Sequence, residues 1–262
     1  MKLAVAATAP FGADILERVA SKHEVELLLT RPDRPKGRGR RKAPPPAKET
    51  ARGLGIPVVQ QEPLDSFPGE APVAVVAGYG VLVPEGLLEE RLWLNVHPSL
   101  LPRWRGAAPV ERAIMAGDRE TGVTIIRLVP ELDAGPVAAQ QRFRLERGDD
   151  AGAVFARAAE IGAQLLDGVL EEPSFVPQAK EGVTYAEKIT AADRELDWSR
   201  PGEEIVNRIR ALSPHIGART ELEGRRVTLW RARLEDGRVL PVEVQPDGRR
   251  RMTYEEFLRG LR

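Results

Sequence analysis

Val73-Ala74-Val75-Val76-Ala77 is a run of five apolar residues with no polar interruption, closed by Gly78. A strand with one wet face alternates polar and apolar side chains. An unbroken run instead suits a strand covered on both faces, the condition of an interior strand in a parallel sheet. The rhythm continues outward from it. Toward the N-terminus, residues 3–7 read as a first strand, 13–20 as a helix, 25–30 as a second strand, 47–54 as a helix and 57–60 as a short third strand. Toward the C-terminus, residues 84–90 read as a helix, 93–97 as a strand, 109–116 as a helix, 123–129 as a strand and 135–144 as one more. Such alternation predicts an α/β class, with a Rossmann-like, mainly parallel sheet and helices on both faces.

The pattern changes after residue 170. A long helix over 150–170, with Asp149 as N-cap, leads into residues 171–190, where Pro173, Pro177 and Gly182 leave no period. Those residues read as a connecting strap. A helix follows over 201–212, with Pro201 in its first turn. Residues 220–222 and 226–234 flank Glu223-Gly224, a hairpin signal; a strand over 238–245 and a helix over 253–261 complete a small β-rich module. The expected organisation is a catalytic domain over residues 1–172, a linker over 173–190 and a C-terminal domain over 191–262.

Composition narrows the chemistry. In 262 residues, 39 Lys plus Arg balance 39 Asp plus Glu, so attraction to a polyanion must come from local clustering. No cysteine is present, which excludes disulfides, thiolate metal ligands and a thiol nucleophile. The opening apolar run is too short to span a bilayer and reads as a buried strand, so a cytoplasmic protein is expected.

The densest chemical signal runs from Leu94 to Pro109: LNVHPSLLPRWRGAAP. Asn95 and His97 are two apart on a strand, so their side chains share a face. Pro98 cannot donate to a ladder and should end the strand there, at the carboxyl edge where open α/β sheets bind ligands. An amide and an imidazole side by side can donate to an oxygen that becomes negative. Asp133, in the turn Leu132-Asp133-Ala134-Gly135-Pro136 after the next strand, supplies a carboxylate that can support the imidazole and relay a proton. Singly, each of the three is ordinarily structural. Trp93 and Trp104 read as packing residues, and His23 and His215 stand outside any motif.

Taken together, Asn95-x-His97-Pro98-Ser99-Leu100-Leu101-Pro102, Arg105-Gly106-Ala107-Ala108-Pro109, Gly117-Asp118-x-x-Thr121-Gly122-Val123-Thr124-Ile125 and Leu132-Asp133-x-Gly135-Pro136 closely resemble the folate-dependent formyltransferases. The resemblance runs the length of the chain. It implies an α/β formyl-transfer domain followed by an OB-like β-barrel, with Asn95, His97 and Asp133 catalytic and Ser99, Leu100, Leu101 and Pro102 lining the tetrahydrofolate site. The donor it implies is 10-formyltetrahydrofolate, the acceptor the amino group of initiator methionyl-tRNA, and no metal is called for. A monomer is expected. After Trp230 there is room for only one or two strands before the last helix, so the five-stranded barrel is expected to be incomplete.

Residues 31–42, RPDRPKGRGRRK, carry seven basic residues against one acidic. A charge run is usually a solvated face. Here it follows the second strand, on the ligand-binding edge, and predicts an extended basic loop suited to an RNA end. It also resembles the loop by which tRNA-specific members of the family grasp the acceptor end. Arg34, Lys36, Arg38, Arg40, Arg41 and Lys42 are the candidate tRNA-binding residues, Arg38 foremost. The tail from residue 199 adds 14 Arg against 10 acidic residues. The alternative acceptor is the amino group of a sugar nucleotide, with the same donor and the same trio. A catalytically silent folate- or RNA-binding module is disfavoured because all three catalytic positions hold competent residues. A nicotinamide dehydrogenase would need a Gly-x-Gly-x-x-Gly turn after the first strand, and none is present.

Overall fold

The computed structural model describes residues 1–36 and 41–261. In chain order its elements are β1 (Lys2–Ala7), α1 (Pro10–Ala20), β2 (Glu24–Thr30), β3 (Arg34–Lys36), β4 (Arg41–Ala43), α2 (Pro46–Gly53), β5 (Val58–Gln60), β6 (Val73–Ala77), α3 (Glu85–Glu90), β7 (Leu92–His97), β8 (Arg105–Gly106) and α4 (Pro109–Met115). There follow β9 (Glu120–Arg127), β10 (Val137–Arg144), α5 (Ala151–Glu171), β11 (Tyr185–Ala186), α6 (Gly202–Leu212), β12 (Ala218–Leu222), β13 (Arg225–Glu235), β14 (Arg238–Pro246), β15 (Met252–Thr253) and α7 (Tyr254–Arg259). Two compact units result. One holds Met1–Arg105, Gly122–Arg142 and Ala156–Thr184; the other holds Gly106–Thr121, Phe143–Phe155 and Tyr185–Arg262.

The first unit is built on a seven-stranded sheet ordered β10-β9-β7-β6-β1-β2-β5. β1, β2, β5, β6 and β7 run parallel, and β9 returns antiparallel to β7. β1 and β6 lie at the centre, and both are buried along the apolar runs that foretold them. The order reverses between these two strands, which makes their carboxyl ends the switch point where such sheets bind ligands. α1 starts at Pro10, three residues before the expected position, because proline lacks only an N–H that a first helical turn leaves unpaired. The N–H groups of Thr8 and Ala9 both donate to the Gly78 carbonyl, so the β1–α1 turn is sewn to the end of β6. One side of the sheet packs Leu29, Val76, Tyr79 and Trp93 into a common core; Trp93 meets Phe67 edge-on and donates its indole N–H to the Leu87 carbonyl. Trp93 is thus the packing residue its sequence context indicated.

Two local expectations need correction. Asp150, not Asp149, caps α5: its Oδ1 accepts the Ala153 N–H at 2.9 Å, while Asp149 Oδ2 turns back to the Glu146 N–H. The strap is also more ordered than its lack of period implied. Val137 and Val176 exchange N–H···O bonds at 2.7 and 2.8 Å, and the Arg105 N–H donates to the Thr184 carbonyl at 2.9 Å. Prolines hide such a strand from any periodicity, because isolated bridges need no repeating pattern.

The second unit contains the antiparallel meander β12-β13-β14-β15. Its turns at Glu223-Gly224 and Asp236-Gly237 have positive φ at both positions, the geometry that suits a tight hairpin. Ile205, Ile209 and Leu212 of α6 pack with Val227, Leu229, Val244 and Phe257. Among the described residues the sheet has four strands, one fewer than a full OB barrel, and after Trp230 only β14 and the two-residue β15 begin. Among the described residues no helix is long and apolar enough to cross a membrane.

Candidate active site

β7 presents Asn95 and His97 at its carboxyl end, paired in register with Ile126 and Thr124 of β9. The strand stops at His97, where Pro98 ends the ladder. Asn95 and His97 are both buried, at 9% and 4% exposure. Asp133 joins them from the turn that follows β9. Its carboxylate is shared between them: Asn95 Nδ2 donates to Oδ1 at 3.2 Å, and His97 Nδ1 faces Oδ2 at 3.7 Å. The other ring nitrogen of His97 donates to the Trp104 carbonyl at 2.8 Å; a carbonyl only accepts, so Nε2 carries a proton. The structure therefore brings together the amide, the imidazole and the carboxylate that the sequence singled out.

Asp133 reaches this place through a strained turn. It has a φ of +48°, in the left-handed region. Two residues on, Gly135 lies against the end of β9, where only a residue without a β-carbon fits.

The segment after His97 is pinned from below. Thr124, fully buried, donates its hydroxyl to the Ser99 carbonyl at 2.7 Å and accepts the Leu101 N–H at 3.2 Å. Gln140 Nε2 donates to both Thr124 Oγ1 and the Leu101 carbonyl. Of the four residues expected at the folate site, Ser99 is buried with its hydroxyl donated to the Arg103 carbonyl, and Leu101 is buried. Leu100 and Pro102 are half-exposed.

A family model described as formyl transferase matches residues 1–170, and one described as formyl transferase, C-terminal domain, matches residues 188–240. The chain belongs to the formyl transferase family. A methionyl-tRNA formyltransferase of Cereibacter sphaeroides is 40% identical over 291 residues, covering 100% of this chain and 96% of that protein. Its counterpart from Paracoccus denitrificans is also 40% identical, covering 100% and 98%. Among solved structures, a methionyl-tRNA formyltransferase from Clostridium thermocellum superposes with a TM-score of 0.67 at 17% identity, covering 94% of this chain and 98% of that one. An N-formyltransferase from Helicobacter canadensis, solved with folinic acid and dTDP-3-aminofucose, gives 0.68 at 17% identity, covering 90% and 88%. At those identities the structural likeness is one of fold.

The basic segment of this formyl transferase is anchored rather than simply extended. β3 and β4 form short antiparallel arms, with Arg34 opposite Ala43 and Lys36 opposite Arg41. Extended backbone pairs readily when two arms lie side by side, a pairing that a charge run does not advertise. Arg34 is bound through Nη2 to both oxygens of Glu62 at 2.7 Å, and Arg31 bonds the same carboxylate. Together Arg31 and then Arg34 hold the Glu62 carboxyl down at about 2. Asp33 accepts from Lys48 at 2.6 Å and from Gln60 at 2.8 Å, and the Lys48 and Gln60 bonds hold its carboxyl below the usual range. Lys42 is exposed. Arg38 and Arg40 lie outside the described residues.

Sequence reasoning missed the groups that hold Asp133 in place. Gln178 of the strap donates to the carbonyls of Asp133 and Gly135, and accepts from Arg105. Arg105 stands inside a quoted motif, but nothing around Gln178 marks it. His23, read as structural, bonds Asp167 at 3.0 Å.

Proposed function

We propose that this chain transfers the formyl group of 10-formyltetrahydrofolate to the free amino group of initiator methionyl-tRNA, giving N-formylmethionyl-tRNA for translation initiation in the cytoplasm. The observation that carries the reading is the Asp133 carboxylate divided between Asn95 and His97. Full-length relatives named for this activity support the choice of acceptor. In this reading residues 1–172 act as the catalytic domain, 173–190 as linker and 191–262 as a C-terminal domain, in a monomer.

The chemistry follows from the three groups. When the amine adds to the formyl carbon, the carbonyl oxygen becomes an oxyanion. Asn95 Nδ2 donates to it, and His97, protonated at Nδ1, donates beside it. Losing one such donor typically raises a barrier by about 2.7–4 kcal/mol. Asp133 takes the proton that the amine loses and returns it toward the departing folate nitrogen as the formyl carbon–nitrogen bond breaks. General acid–base help of this kind is worth roughly 10²–10⁴-fold. No charge is left over: one carbon–nitrogen bond forms, one breaks, and one proton crosses between nitrogens.

Leu100 and Pro102 offer the donor half-exposed apolar surface, while Ser99 and Leu101 hold the segment's shape from beneath. The basic segment supplies the phosphate contacts, through Lys36, Arg38, Arg40, Arg41 and Lys42. Arg34, bonded to Glu62, fixes the base of one arm and contributes from there.

The test is an acceptor comparison with 10-formyltetrahydrofolate as donor. Formylation of methionyl-tRNA, with amino-sugar nucleotides left unmodified, is the expected result. Preferential formylation of an amino-sugar nucleotide would overturn the choice of acceptor and keep the transfer chemistry.

A further inference from the structure

We propose that Gln178 is a positioning residue for formyl transfer: its side-chain amide holds the turn carrying Asp133 so that the carboxylate meets Asn95 and His97. The inference rests on the reading of Asp133 as the proton-carrying group. Asp133 has a φ of +48°, a left-handed conformation that is uncommon for a residue with a side chain and that contacts to its turn help to hold. Gln178 Nε2 donates to the carbonyl oxygens of Asp133, at 2.7 Å, and Gly135, at 2.8 Å. Both amide hydrogens are thus used on one turn, on either side of Ala134.

The opposite end of the amide is equally committed. Gln178 Oε1 accepts from Arg105 Nε at 3.2 Å and from Nη2 at 2.9 Å. A guanidinium only donates and a carbonyl only accepts, so the amide has a single permitted orientation. Arg105 is itself buried, and its Nη1 reaches Glu131 Oε1 at 3.2 Å, at the start of the same turn. Arg105 and Gln178 together clasp residues 131, 133 and 135. Release of the clasp lets Asp133 relax toward ordinary backbone and carries its carboxylate away from Asn95 Nδ2 and His97 Nδ1. A misplacement on the order of 1 Å at reacting groups costs about 10²-fold.

Steady-state kinetics on 10-formyltetrahydrofolate and methionyl-tRNA test this with Gln178→Ala, Gln178→Glu, Asp133→Asn and the double variants. Glutamate keeps the length of glutamine and its contact with Arg105, but an ionised carboxylate cannot donate to the two carbonyls. Gln178→Ala and Gln178→Glu should each lower kcat about 10- to 100-fold, with both KM values within about twofold. Because Gln178 acts through Asp133, adding either change to Asp133→Asn should lower kcat by less than about twofold more. Parental kcat in the Gln178 variants, or a loss that multiplies in full on the Asp133→Asn background, would overturn the inference and leave the role of Asp133 standing. Parental kcat in Asp133→Asn alone would overturn the reading on which the inference rests. Should Gln178→Ala fail to fold, Gln178→Glu and its double variant carry the same comparison.

Discussion

A β-carbon on Gly135 would lie 1.7 Å from the carbonyl oxygen of Arg127. The turn bearing Asp133 therefore passes the end of β9 backbone against backbone, at a distance no other residue permits. Gly135→Ala should push the turn outward. We expect a loss of about 1–3 kcal/mol in stability, as for overpacking elsewhere, and a fall in kcat larger than the stability change explains. Denaturant unfolding beside single-turnover rates checks both; a variant with parental kcat would show that the turn needs no such closeness.

His97→Ala should abolish measurable formyl transfer, a loss of at least about 10²-fold. The fold should survive, weakened by about 1–3 kcal/mol because the Trp104 carbonyl is left without its imidazole donor. Circular dichroism and thermal unfolding establish the fold, and turnover above one tenth of the parent would remove His97 from the mechanism.

Thr124→Val keeps the shape of the side chain and removes its hydroxyl. The Ser99 carbonyl and the Leu101 N–H both lose their bond to Thr124 Oγ1. The expected cost is about 1–3 kcal/mol of stability, together with a higher KM for 10-formyltetrahydrofolate as residues 99–102 loosen. An unchanged KM would detach that segment from donor binding.

Arg38→Ala should weaken the use of methionyl-tRNA and leave the KM for the folate donor unchanged. Contacts to phosphate release counterions, so the parent's kcat/KM on tRNA should fall with salt, and the variant's dependence should be shallower by about 0.7–0.9 in log–log slope. Identical slopes would place Arg38 away from the RNA backbone.

Glu62 carries a pH signature. Its carboxyl is held at about 2 in the folded chain against an ordinary 4.5, first by Arg31 and then by Arg34. A depressed folded value means that the unfolded chain takes up the proton first. The stabilisation is complete above about pH 4.5 and disappears as pH falls toward 2. In Glu62→Gln the decline of stability across that window should be flatter than in the parent, and the two proteins should converge near its lower end. Urea unfolding at several pH values measures this, and parallel curves would mean that the Arg31–Glu62–Arg34 contact adds nothing.

Much of this arrangement was legible before any coordinates. Unbroken apolar runs marked β1 and β6, and the two-residue spacing of Asn95 and His97 set them on one face of β7. Pro98 marked where that strand would stop. These signals are local: each depends on residues within a few positions of one another. The clasp on Asp133 is not local, since Gln178 lies 45 positions away and a single amide in a proline-broken strap has no period to betray it. The arms of the basic segment escaped for another reason: twelve charge-rich residues announce solvation, while the partners of Asp33 and Arg34 at its base, Lys48, Gln60 and Glu62, lie elsewhere in the chain.

One nitrogen of His97 is occupied before any reaction begins. An imidazole with both nitrogens free resembles a room with two doors, able to admit a proton on one side and release it on the other. Here the Trp104 carbonyl keeps the far door shut. Any proton that visits the ring must enter and leave by Nδ1, the side shared with Asp133. In the proposed reaction the amine's proton, carried by Asp133, therefore finds no onward path through the ring and leaves outward, aboard the departing group.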